Sequence, residues 1–572
     1  MVLHRNVQDA IDRASKVYCS GDLLDTVQRL RLFPDSKHFV DMPMREEPED
    51  IMAAFMALPA AARADPREVR SFVESHFDEP GADLVPCTPA DWPPDPPLLK
   101  RVADRDLVGL LEALHALWPT LCRALSSRVV QAPQRTSALI RRFPVVLPGG
   151  RFRETYYWDS FWIVEGLLAS GMVETARGLV QNLLDDVEAF GFVPNGGRVY
   201  YLNRSQPPLL CEMVASVARA LGSTASEFLA LAVPLLQREH DWWMSGERVV
   251  SVGGFLLNRY TADLHGPRPE SYREDVETAG GDAAVYGQIA AAAASGWDFS
   301  SRWTWSGSRV GGTFSLAETA TTRVLPVDLN AILYRAERTL AALSEAVATR
   351  AQLSEVEAAV AAGASFSCAG AASLASAARR REEAILQLMW RPAWGRWTDV
   401  WMPAEDDPRG GAAQALDSSP TLADFAAPLW AGLPAPDGQR EVVAALQSSR
   451  LLGVGGASTT VAEGTGQQWD APNAWPPLQS MLIEGLRGLC EASGGPSLAA
   501  ELAQQWVGTC YTAWRQTGFM HEKYSASCYG VGGGGGEYEP QVGFGWSNGV
   551  VLQLLRDYGG SLVARPGAGG SQ

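Results

Sequence analysis

Tryptophan and carboxylate recur side by side in this chain, at Trp158-Asp159, Trp297-Asp298, Trp397-Thr398-Asp399 and Trp469-Asp470. An indole can cover the C–H face of a pyranose, while carboxylates, amides and guanidinium groups bind its hydroxyls. The pairing therefore suits a carbohydrate site, although any one of these tryptophans could equally be a large core residue. The densest segment is PGGRFRETYYWDSFW, residues 148–162. Its adjacent glycines permit a tight turn and a close approach to ligand. Arg151 and Arg153 offer planar donor forks, Glu154 and Asp159 acceptors, and Trp158 a stacking face. Asp159 could instead cap the helix that starts at Ser160.

Glycoside hydrolysis takes two carboxyl groups, one to protonate the leaving oxygen and one to activate water or attack carbon. In SGWDFSSRW, residues 295–303, Asp298 follows a glycine and a bulky indole. Trp297 can desolvate that carboxyl group and keep it protonated; a helix cap or an ion pair with Arg302 is the alternative. In MHEKYSA, residues 520–526, Glu522 adjoins Lys523 and by itself reads as half of a surface ion pair. Residues 532–536 are five consecutive glycines. No Lys-Ser/Thr follows them, so they are no phosphate cradle. A mobile lid is the preferred reading, one that brings Glu537 inward with Tyr524 and Tyr538 as apolar cover.

These residues lie in loops between helical patterns. Apolar residues recur at helical spacing over 161–190, with a break at Ser170-Gly171, and over 209–221, 225–243, 325–347, 378–390, 477–492, 498–516 and 547–558. Strand-like alternation is short, as at 248–257, and no βαβ rhythm develops. The expectation is an all-α fold, an (α/α)6 barrel whose long loops build a site at one end. Residues 1–97 read as an N-terminal segment and linker packed on the barrel, the linker being the Pro/Asp-rich stretch 79–97. Residues 98–558 form the barrel with an Ala/Ser-rich insertion at 351–378, and 559–572 a flexible tail.

Composition narrows the classes. With 48 Lys+Arg against 65 Asp+Glu, the net charge of -17 disfavours nucleic acid or anionic membrane as partner. No run of ~18 apolar residues suggests a membrane span, and the charged N-terminus lacks a signal-peptide core. Seven histidines without an H-x-x-x-H pair argue against a metal site, and no cofactor is expected. Eight dispersed cysteines without C-x-x-C read as reduced thiols. A cytoplasmic monomer is the resulting expectation.

PGGRFRETYYWDSFW resembles the first signature of the trehalases, glycoside hydrolase family 37, and QWDAPNAWPP, residues 468–477, the second. The family's order continues through FVPNGGRVYYLNRSQPP (192–208), PRPESYREDVETA (267–279), SGWDFSSRW, PVDLNAIL (326–333), MHEKYSA, GGGGEY (533–538) and GFGWSNGV (543–550). A weaker similarity reaches back to DLLDTVQRLRLFPDSKHFVDM, 22–42. Two departures stand out: Ala471 where the second signature usually has an aromatic, and the run 351–378. The resemblance implies inverting hydrolysis of α,α-trehalose to two glucose molecules, with Asp298 as general acid and Glu522 as general base. It also implies substrate binding by Arg151, Trp158, Asp159, Asn195, Arg204, Ser205, Gln206, Arg268, Glu270, Gly296 and Glu537, with Trp469, Asp470, Asn473 and Trp475 completing the pocket. Within this block the formal glycosylation motif Asn203-Arg204-Ser205 reads as a false positive. Another (α/α)-barrel α-glucosidase and a non-catalytic sugar-binding protein are the alternatives, separable by substrate and turnover.

Overall fold

The computed structural model describes residues 2–304, 314–362, 364–402, 414–415 and 419–564. Twelve helices in two concentric rings form its body. The outer ring is α1 (Arg105–Leu121), α3 (Val173–Phe190), α5 (Ser226–Trp243), α7 (Ala369–Leu388), α9 (Gln439–Ser448) and α11 (Gly495–Thr517). The inner ring is α2 (Asp159–Ala169), α4 (Leu210–Leu221), α6 (Val327–Thr349), α8 (Ala426–Ala431), α10 (Pro476–Arg487) and α12 (Gly545–Tyr558). Each inner helix packs on the next, and α12 closes the ring against α2. The chain alternates outer and inner, which makes the barrel an (α/α)6 toroid.

Sequence dictates the ring. In α2, DSFWIVEGLLA, every residue but Leu168 is buried, because an inner helix is covered all round. In α5, SEFLALAVPLLQREHDWW, only a stripe from Phe228 to Trp243 is buried. Helix α1 starts where Asp104 accepts hydrogen bonds from the amides of Asp106 and Leu107. The turn between α2 and α3 passes through Gly171 at φ 82°, a conformation that favours glycine. Helix α7 begins at Ala369, so the last third of the Ala/Ser-rich run is the first turns of an outer helix, with Ala371, Leu374 and Ala378 buried.

The N-terminal helices build a second apolar cluster, with Val17, Leu24, Phe39 and Phe55 packed against Leu139, Val199, Tyr200 and Tyr201 of the barrel loops. A buried ionic network ties the two parts. Lys37 Nζ lies 2.8 Å from both Asp41 and Glu154, and the Arg198 guanidinium reaches Glu154 (3.0 Å), Asp41 (3.2 Å) and Asp83 (2.7 Å). Removing one member would strand an uncompensated buried charge, at ~3–5 kcal/mol. Glu154 is therefore an anchor, and Arg153 lies out toward Asp41 at 3.8 Å.

Two further readings meet the structure here. The antiparallel register Pro86↔Arg123 sets Cys87 beside Cys122, and the two form a disulfide across a Cα–Cα distance of 5.4 Å. The expectation of eight reduced thiols thus fails at this pair, because cross-strand adjacency leaves no trace in cysteine spacing. At the C-terminal end, Leu562 and Ala564 are buried and Val563 exchanges backbone hydrogen bonds with the Gln504 amide (2.7 and 2.9 Å). The rest of the expected tail, 565–572, lies outside the described residues.

Candidate active site

The loops at one end of the toroid enclose a cavity lined by Asp298, Glu522, Asp159 and Glu537, by Arg151, Arg204 and Arg268, and by several aromatic rings. Its floor is a stack of tryptophans. Trp469 lies 3.9 Å from Trp475 with the planes 3° apart, Trp297 stacks on Trp469 at 5.4 Å, and Trp158 tilts against Trp469 at 5.7 Å. Trp297 is braced from behind by Arg302, whose guanidinium sits 4.5 Å from its ring and 4.7 Å from that of Trp303. Arg302 forms bidentate pairs with Asp328 and Asp399. This removes the ion pair with Asp298 as an alternative, and it makes Asp399 of the Trp-Thr-Asp triplet part of the scaffold.

Asp298 enters from the loop after the helix Ala284–Ala294. Gly296, two residues before it, has φ 78°, and a Cβ there would stand 2.7 Å from the indole of Trp158. The glycine therefore lets ring and acid loop touch. Burial lifts the Asp298 carboxyl to about 6, against the pull of Arg268 and Arg204. Asp470 holds the same loop. Its carboxylate accepts from the Ser300 hydroxyl (2.8 Å), the Ser301 amide (2.9 Å) and hydroxyl (3.0 Å), and the hydroxyls of Thr460 (3.1 Å) and Thr465 (2.7 Å).

Glu522 lies at the end of the loop after α11, beside a short ladder in which Asn473–Ala474 pairs with Tyr524–Ser525. It is buried, and it is not paired with Lys523. Its carboxylate accepts from the Tyr538 hydroxyl (2.7 Å) and the Gln541 amide (3.2 Å), while the Trp546 indole donates to its carbonyl (2.9 Å). Burial pushes its pKa up, but Lys523, these two donors and Arg151 oppose the shift by favouring the anion. Asp159 is raised well above its ordinary value by burial, with Glu522 and Asp298 adding to the rise. Burial brings Glu537 to about 7, although Arg268 stands 3.5 Å away.

The remaining lining groups are oriented by one another. Arg204 pairs with Glu270 at 2.6 Å, and Arg268 grips Asp275 through Nη2 (2.6 Å) and its own amide (2.8 Å). Gln206 Oε1 accepts from the Trp158 amide at 3.1 Å. Asn195 Oδ1, Arg204 Nε and Glu270 Oε2 are buried without a hydrogen-bond partner. Buried polar atoms are nearly always paired, so these three, in residues that line the cavity, stand out as unused hydrogen-bonding capacity beside it.

Of the residues singled out from sequence, Arg151, Trp158, Asp159, Asn195, Arg204, Gln206, Arg268, Glu270, Gly296, Asp298, Trp469, Trp475, Glu522 and Glu537 line this cavity together. Ser205, Asp470 and Asn473 do not. The Ser205 hydroxyl donates to the Val193 carbonyl at 2.7 Å, Asp470 faces the serines, and Asn473 bridges Gln468 O (2.9 Å) and Gly534 O (2.8 Å). All three shape the wall from behind. Of the two tyrosines expected to cover the sugar, Tyr538 lines the cavity, whereas Tyr524 packs on Trp506 at 5.2 Å and does not line it. Sequence reasoning missed Asp35, Ser36 and Lys37, which the N-terminal segment brings to the rim, together with Phe152, Tyr156 and Trp546. Asp35 reaches Arg151 at 3.3 Å. The only signal for it was the weak block at residues 22–42.

Among the described residues no group of His, Cys, Asp or Glu is arranged to hold a metal ion, and no helix is long and apolar enough to cross a membrane. A helical toroid with two titrating carboxyl groups on an aromatic floor defines a glycosidase of the (α/α)6 class. Comparison with known proteins narrows this. The family model "Trehalase" matches residues 31–559. The chain is 39% identical to a trehalase of Homo sapiens over 561 residues, covering 96% of this chain and 90% of that protein. It is 38% identical to a probable trehalase of Oryza sativa subsp. japonica, covering 92% of each. Among solved structures, the neutral trehalase Nth1 from Saccharomyces cerevisiae superposes with a TM-score of 0.56 at 24% identity, over 73% of this chain and 75% of that one, a likeness of fold. The chain belongs to the trehalase family.

Proposed function

We propose that this protein hydrolyses α,α-trehalose to two glucose molecules with inversion, Asp298 acting as general acid and Glu522 as general base. The observation that carries the assignment is the contrast between two carboxyl groups in one cavity. Asp298 sits next to stacked indoles and is lifted to about 6, which favours the protonated form. Burial raises the Glu522 carboxyl too, but there two hydrogen bonds and the neighbouring Lys523 oppose the rise by stabilising the anion. Asp298 gives its proton to the bridging oxygen as the C1–O bond breaks. Glu522 takes a proton from the water that forms the new C1–O bond on the opposite face. One α- and one β-glucose result, and this path needs room for water between the carboxyl groups, a separation of roughly 6.5–9.5 Å.

Support for a polyol ligand comes from the unpartnered atoms Asn195 Oδ1, Arg204 Nε and Glu270 Oε2, an acceptor, a donor and an acceptor in three residues of the cavity lining. Proton NMR of fresh reaction mixtures resolves the anomers. Equal initial α- and β-glucose is expected; α-glucose alone, or turnover of maltose without trehalose, would overturn the proposal. We further propose a monomer with no nucleic-acid partner, following from the closed ring and the charge of -17. A cytoplasmic setting would keep Cys87 and Cys122 reduced, so thiol titration of the protein from its source tests that location.

A further inference from the structure

Lys523 is wholly buried, yet no ion pair among the described residues includes it. Its ammonium donates to two neutral acceptors, Gln468 Oε1 at 2.6 Å and the Gly535 carbonyl at 3.0 Å, and stands 5.0 Å from the Trp475 ring and 5.8 Å from that of Tyr538. A buried cation held by no direct ion pair, with Glu522 and Asp298 acting on it only through space, is costly, and such groups persist where they serve function.

Each partner leads to a working part. The Gln468 amide, oriented by accepting from Lys523, donates through Nε2 to the backbone carbonyl of Asp298 at 2.5 Å. Gly535 belongs to the glycine loop that carries Glu537 and Tyr538, and Tyr538 binds Glu522. The glycines are where this loop lies directly on the lysine and its partner. A Cβ on Gly533 would stand 2.6 Å from Asn473 Oδ1 and 2.9 Å from Lys523 Cγ, and one on Gly536 would stand 2.6 Å from Gln468 Oε1. The run is therefore a contact surface as well as a flexible one.

We propose that Lys523 is a positioning residue that latches the glycine loop to both carboxyl groups, through Gln468 to the backbone of Asp298 and through its own charge to Glu522. The charged and titratable groups facing this pair are Asp298 from the acid loop, Asp159 from α2, Arg151 from the glycine-glycine turn and Tyr538 from the glycine loop. Of these, Arg151 alone adds positive charge, so Lys523 is a main support of ionised Glu522, and neutral acceptors leave its field undivided. The inference rests on Glu522 as base.

The test compares pH profiles of kcat/KM on trehalose. Lys523→Met keeps the volume without the charge and is expected to fold, because replacing a buried charge by an apolar group of like size is tolerated. Without the cation Glu522 binds its proton more tightly, so the acidic limb moves to higher pH by about half a unit or more. Loss of the latch lowers kcat by about 10- to 100-fold, the scale of a misplaced catalytic group. Gln468→Leu cuts the link to Asp298 but leaves the charge, so kcat falls and the acidic limb stays in place. Gln468→Glu gives the ammonium a carboxylate partner and must shift the limb upward, which keeps the proposal testable should Lys523→Met not fold. An acidic limb unmoved in folded Lys523→Met or in Gln468→Glu overturns the latch. Glu522→Gln is assayed alongside: if it retains full turnover, the base assignment falls, a result separate from the failure of the latch.

Discussion

Replacing Asp298 by asparagine should make the protein inactive and more stable at once. Asparagine keeps the size of the side chain and removes a titrating group that the fold disfavours in its charged form. The carboxyl is held at about 6 against an ordinary 3.8, and each pH unit of displacement is worth about 1.4 kcal/mol. Its folded-state pKa lies above the unfolded one, so the unfolded chain binds fewer protons over that window. Stability is then lost as pH rises from about 4 to about 6 and stays lost above, about 3 kcal/mol in all. Asp298→Asn escapes that loss. For 572 residues and an unfolding entropy of ~2.1 cal/mol/K per residue, the melting temperature rises by about 2–3 °C at pH 7.5. At pH 3.8, where the folded carboxyl is protonated and about half of the unfolded one is, most of the gain should be gone. Calorimetry at pH 7.5 and 3.8 measures both, and turnover of trehalose should fall by about a thousandfold or more as the general acid is lost. A variant no more stable at pH 7.5, or equally stabilised at both pH values, would refute the reasoning about its environment.

Other perturbations test the same wall. As an acid, Asp298 must be protonated, so kcat/KM should decline above about pH 6; a decline already centred near pH 4 would speak against it. Gly296→Ala forces a Cβ to 2.7 Å from Trp158 at φ 78° and should cost about 1–3 kcal/mol with at least tenfold loss of kcat/KM, read by urea unfolding and steady-state kinetics. Asp470→Ala orphans the Ser300, Ser301, Thr460 and Thr465 donors, so stability should fall by about 2–5 kcal/mol and kcat drop more than KM changes. Asp35→Ala frees Arg151, and KM for trehalose should rise severalfold by initial-rate assay while the melting temperature holds within about a degree.

How much of this could be read in the chain differs from residue to residue. Asp298 carried its own signal, since glycine and tryptophan before an aspartate describe a tight, desolvated turn. Glu522 carried a misleading one. Adjacency to Lys523 suggested an ion pair, but the lysine turns to Gln468 while the glutamate turns to Tyr538. Asp470 resembled a ligand because it follows a tryptophan and lies in a polar block. Its partners, Ser300 and Ser301, are about 170 positions away, and nothing local announces them. Asp35 was invisible for the same reason, lying 116 residues from Arg151.

Nine of the twelve barrel helices, their order and the kinds of group available to a sugar were legible in the sequence, because period-3.6 patterning and residue chemistry are local properties, whereas Arg105–Leu121, Ala426–Ala431 and Gln439–Ser448 were not picked out. Which helices form the inner ring could be sensed only in part, through segments apolar on every face. Tertiary structure alone decided which polar atoms look into the cavity and which are turned to the scaffold. It decided too that Cys87 meets Cys122 and that the N-terminal segment reaches the rim. Those outcomes depend on contacts between residues far apart in the chain, and the burial that lifts Asp298 and Glu537 exists only once those contacts have formed.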